Sequence, residues 1–173
     1  NAGAAEAPLY TYMGLRKVLP LSYFEKLAAQ QVATSGESSV SSTQKVLDGE
    51  NPVTVTTVFR LVQTAQQTGV SLNGYFPKEG VVLLGHPYGI LAKAPHPNAA
   101  KLFIDFLYSE EGMSMYINLE GIIALRDGAK VPNEIRRYSP PLADLKAIPM
   151  DWKSLDAAKL EAAREEWQKV FGR

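Results

Sequence analysis

Four serines, Ser38, Ser39, Ser41 and Ser42, stand just ahead of a helical pattern that carries Val46 and Leu47. The start of a helix leaves backbone N–H groups without intrahelical partners and bears the positive end of the helix dipole, so hydroxyls gathered there add donors around an anion. The same serines suit ordinary N-capping in a polar loop. Thr56 and Thr57 close the strand-like stretch "PVTVTTVF" and precede the helical stretch "RLVQTAQQTG". The carboxyl edge of an open α/β sheet is where such folds place ligands, although plain β-propensity also accounts for the threonines.

Catalytic constellations are scarce. His86 and His96 are the only histidines, each beside a proline, and neither has a metal-binding spacing. No nucleophile elbow, phosphate-binding loop or dinucleotide fingerprint is present. The pairs Glu110-Glu111 and Glu165-Glu166 adjoin or lie in helical patterns and need no reading beyond solvated faces. With no cysteine, thiolate chemistry and disulfides are excluded. The expectation is a binding protein without catalytic, metal or cofactor sites.

The elements that would position these residues alternate between helices and short strands. Leu9 to Val18 reads as a helix stopped by Pro20, and Ser22 with Glu25 forms a capping-box pattern for a second helix to about Gln30. Gly49 should close the helix after the serines, and Gly69 the next one. "VSLNGYF", "VVLL", Tyr88 to Leu91 and "GIIAL" read as strands. Asn98 is the expected N-cap of a helix from about Ala99, with Leu102, Phe103, Phe106 and Leu107 on one apolar face. Ser109 to Leu119 should form a further helix ending at Gly121. From Asp127 to Pro149 the chain reads as extended with little regular structure, and Leu155 to Val170 as a terminal amphipathic helix. This alternation predicts an α/β fold with a mainly parallel, mixed sheet flanked by helices.

Composition sets the outer bounds. The 173 residues can bury a sizeable core, and 46% hydrophobic with 21% charged residues is ordinary for a globular chain. Eighteen basic and eighteen acidic residues cancel, which removes any bulk field favouring nucleic acid or an anionic membrane. Asn1-Ala2 looks like the remnant of a Ser-Asn-Ala tag scar, and residues 1–7 read as a flexible arm.

The stretch "PKEGVVLLGHPYGILAKAPHPNAAKLFIDFLYSEEGMSMYINLEGIIALRDG", followed by "LKAIPMDWKSLD" and the closing helix to "WQKVFGR", resembles bacterial extracellular solute-binding proteins of ABC importers. It is most similar to the branch that includes ferric-iron-binding proteins. The resemblance extends back through "SYFEKLAAQQVATSGESSVSSTQKVLDGENPVTVTT" and so covers nearly all of the chain after Pro8.

The resemblance implies a fold of the type II periplasmic-binding-protein kind, in which two α/β lobes are joined by crossing strands and hold a ligand between them. Residues 8–84 would be part of the second lobe, 85–97 the hinge crossover, and 98–173 the C-terminal part of the first lobe. Family members are about twice as long, so an incomplete fold is expected, with exposed lobe surface through which the piece self-associates. Further expectations are a periplasmic or extracellular membrane-associated location, a small-molecule solute and ABC permease subunits as partners, and no nucleic acid.

Ferric-binding relatives place adjacent tyrosines after the strand matching "VTVTT", where this chain has Thr56-Thr57-Val58-Phe59. Iron is therefore the alternative, and the expected ligand is a small polar or anionic solute held by Ser38, Ser39, Ser41, Thr56 and Thr57, with Tyr88 lining the cleft from the hinge. Rival readings of another class are a ligand-sensing regulatory domain and a transferase-like enzyme lobe.

Overall fold

The computed structural model describes residues 6–30, 32–33, 39–55, 61–62, 65, 68–124, 126, 128–136 and 140–172. Its helices are α1 (Glu6–Leu15), α2 (Leu21–Ala28), α3 (Ser39–Leu47), α4 (Pro97–Leu107), α5 (Glu110–Glu120), the single turn α6 (Asn133–Arg136) and α7 (Ala157–Phe171). Two 3-10 turns, Leu142–Asp144 and Trp152–Ser154, lie between α6 and α7. The chain divides into two compact units.

The first unit comprises Asn1–Ser42, Phe76–Leu84 and Lys146–Arg173. Its core is aromatic: Tyr12, Phe24 and Phe171 are buried, with Leu15, Leu19, Leu27, Trp167 and Val170 packed around them. Trp167 stacks on Phe171 at a centroid distance of 4.2 Å, and Tyr12 meets Phe24 and Trp167 edge-on. These residues come from α1, α2 and α7, so the terminal helix closes the core that the first two helices open. A polar clamp reinforces it. Tyr12 Oη donates to Glu166 Oε1 at 2.6 Å, Arg16 Nε donates to the same oxygen at 2.8 Å, and Arg16 Nη1 donates to the Leu19 carbonyl at 3.0 Å.

The second unit comprises Thr43–Tyr75 and Gly85–Leu145. One core cluster joins Val62, Ala65 and Leu72 to Val46 and Leu47 of α3. The other places Met113 and Ile117 of α5 against Ile122, Ala124, Ala129 and Val131. Helices α4 and α5 turn at Tyr108-Ser109. There Ser109 Oγ donates to the Phe106 carbonyl at 2.6 Å and accepts from Gly112 N–H at 3.0 Å. Gly112 sits against the Phe106 carbonyl so closely that any Cβ would collide with it.

Several expected helix ends form as anticipated. Beyond α3, Glu50 N–H reaches the Lys45 carbonyl and Gly49 N–H the Val46 carbonyl, a Schellman pair with Gly49 at φ 77°. Gly121 stops α5 in the left-handed region at φ 61°, and Asp156 caps α7 through the Lys159 N–H.

Other expectations are corrected. The mainly parallel sheet is not formed among the described residues, where strand pairing is confined to one parallel bridge between Val81 and Ala147. Val81 N–H bonds the Lys146 carbonyl at 2.9 Å and Ile148 N–H bonds the Val81 carbonyl at 2.8 Å. The described parts of "VSLNGYF", "VVLL", Tyr88 to Leu91 and "GIIAL" otherwise make no ladder. Their valines, isoleucines and leucines favour a pleated, half-buried surface, and without a neighbouring strand to supply it the preference has nothing to act on. The α2 capping box is also absent, since the N-cap is Pro20 and no side chain caps the helix. In α4 the N-cap is His96, with Pro97 as the first helical residue and Asn98 inside the first turn. Proline's fixed φ and missing N–H suit that position better than a cap one residue later.

Candidate functional site

Of the six residues that the sequence singles out, Ser38, Thr56 and Thr57 lie outside the described residues. Ser39 is the first residue of α3 and half-buried, while Ser41 is exposed in the first turn. Both serines belong to the first compact unit and Tyr88 to the second.

Tyr88 is where the structure adds most. It lies in the extended segment that leads to α4, and its hydroxyl donates to Tyr116 Oη of α5 at 2.7 Å. Its ring meets that of Tyr108, the C-cap residue of α4, at a centroid distance of 6.2 Å and an interplanar angle of 86°. It meets the Tyr116 ring at 6.4 Å and 70°. Edge-to-face geometry of this kind is a favoured arrangement of aromatic pairs. Tyr88 is 42% and Tyr108 41% exposed, so the trio borders solvent and is not closed into a core.

The local electrostatics are negative. The Tyr88 hydroxyl is pushed up to about 12, first by its hydrogen bond to Tyr116, then by burial and by the charges of Tyr116 and Glu120. A proton donated to a neighbour is harder to remove, and a nearby carboxylate opposes a second negative charge. Glu120 ends α5, whose last turn has no basic residue to offset the helix dipole.

Sequence reading missed Tyr108 and Tyr116. The available signal was weak: Tyr116 is four residues before Glu120 and so on the same side of one helix, whereas its meeting with Tyr88 spans 28 residues.

Elsewhere the surface is shallow. Two open depressions run along α7, one lined by Glu161, Arg164, Glu165, Gln168 and Lys169, the other by Leu21, Glu25, Ala28, Glu166 and Val170 among others. They contain none of the six predicted residues, and the first is one face of a single helix, with little to enclose a solute. Among the described residues no group of three or more His, Asp or Glu side chains could hold a metal ion. His86 and His96 are both exposed.

The family model for bacterial extracellular solute-binding proteins matches residues 19–140, which include the serine-rich start of α3 and all three tyrosines. The chain belongs to that family. Membership gives it a solute-binding role in transport, with a small-molecule ligand and a transporter permease as the general kinds of partner. No curated protein and no solved structure matches it. Among the described residues no helix is long and apolar enough to cross a membrane.

Proposed function

We propose that the protein is the substrate-binding component of an ABC importer, located in the periplasm or at the outer face of the cell membrane, and that it captures a small polar or anionic solute between two lobes for delivery to the permease. The observation that carries this reading is the family match across residues 19–140, within which Tyr88, Tyr108 and Tyr116 converge at the surface. The crossover between lobes is assigned to residues 85–97, and the change of compact unit between Leu84 and Gly85 supports that boundary. Ser38, Ser39, Ser41, Thr56 and Thr57 are proposed as further ligand contacts on the helix-start and strand-end arguments. Self-association through exposed apolar surface belongs to the same proposal.

Iron is the weaker alternative. Hard-cation capture by tyrosine needs phenolate, and the tie between Tyr88 and Tyr116 holds Tyr88 in its neutral form.

Native mass spectrometry of the protein as purified, repeated after denaturation and refolding to strip any passenger, tests the reading. A discrete small-molecule mass that disappears on refolding is the expected result. An iron-sized mass would restore the ferric alternative, and turnover of a captured molecule would favour the enzyme reading.

A further inference from the structure

The tyrosine trio makes a selective demand on its ligand. Three rings meeting at steep angles form a corner, and the ring faces left open there carry the negative part of the aromatic quadrupole. The remaining fields have the same sign. The Glu120 carboxylate acts on the Tyr88 hydroxyl, and the C-terminal end of α5 presents its carbonyl pole beside a last turn without a basic residue. An anion is repelled by all three contributions, and a neutral solute gains little from them. A cation gains from each, most of all an organic cation whose alkyl groups can lie on the rings while its charge remains near their faces.

The hydrogen bond between Tyr88 and Tyr116 adds preorganisation. With the two hydroxyls joined at 2.7 Å, the crossover ring is fixed relative to α5, so less ordering entropy is lost when a ligand arrives.

We infer that Tyr88, Tyr108 and Tyr116, backed by Glu120, form a subsite for an organic cation of the alkylammonium class, so that the transported solute carries a positively charged group. This rests on the solute-binding reading and refines it: an anionic part of the solute would have to be held elsewhere, as at the serine-rich start of α3.

The test uses choline and its neutral isostere 3,3-dimethylbutan-1-ol on the intact protein, with the ring resonances of the three tyrosines followed by NMR. Choline is expected to shift all three saturably, and the alcohol to bind about tenfold more weakly because it lacks only the charge. Tyr108→Phe, which keeps the ring, should retain the choline response, and Tyr108→Leu should lose most of it while its remaining spectrum stays folded. Equal responses to choline and the alcohol, or no response to either, would overturn the cation subsite. The parent reading is judged separately: a passenger found by mass spectrometry in a protein that ignores choline would leave solute binding standing and remove only this inference.

Discussion

Glu166 is the residue on which the first unit's polar clamp turns, because one carboxylate receives both the Tyr12 hydroxyl and the Arg16 guanidinium. Hydrogen bonds from Arg16 and then Tyr12 hold its carboxyl below the usual glutamate range. In turn, burial, followed by the hydrogen bond to Glu166, pushes the Tyr12 hydroxyl well above the ordinary tyrosine range. A depressed carboxylate stabilises the fold fully above its unfolded pKa, and that stabilisation is lost as pH falls through its lower folded value. Melting temperature should therefore drop on acidification more steeply in the native protein than in Glu166→Gln, with the two curves converging at the acid end. At neutral pH the substitution should cost about 1 kcal/mol, a figure kept low because the pair is partly exposed to solvent. Thermal melts across the acid range check both statements, and parallel curves for the two proteins would show that the clamp contributes nothing through ionisation.

At the scale of elements, the turn between α4 and α5 depends on Ser109, which bonds the Phe106 carbonyl at the end of one helix and the Gly112 N–H at the start of the next. Ser109→Ala should destabilise the protein by about 1 kcal/mol, the usual cost of a lost N-cap, lowering the urea midpoint without changing the slope. A midpoint unchanged within error would mean that water replaces the hydroxyl at both partners. Ends of this kind were legible in the sequence because they are local: Ser109, Gly49, Gly121 and Gly69 announce themselves within a turn of the helix they close. The strands were not, since a ladder depends on partners distant in sequence, and Val82 to Leu84 looks the same in sequence whether or not one lies alongside. The tyrosine trio falls between these cases. Tyr88 was singled out from its place before α4, but Tyr108 and Tyr116 reach it only through the turn at Ser109.

Over the whole molecule, the residues that fail to bury are as informative as those that do. Helix α4 has the expected apolar pattern, yet of its four apolar face residues only Leu107 is buried; Leu102 is 71% and Phe103 60% exposed, and Phe106 is also exposed. Met115 and Leu119 of the adjoining α5 are exposed as well. Monomeric proteins rarely leave extensive apolar surface in water, and removing it from water yields roughly 25 cal/mol per Å2, so several such side chains supply a driving force for association. The two-lobed reading gives this face a natural role in contact with further structure, and in its absence a second copy of the chain is the partner we propose. Sedimentation velocity should then show a concentration-dependent shift to faster species in the native protein. Phe103→Lys should move that shift to higher concentration, because it places a charge within the exposed apolar positions, while Lys101→Glu, at an already polar position of the same helix, should leave it nearly unchanged. Identical concentration dependence for the native protein and the Phe103 variant would remove this face from self-association.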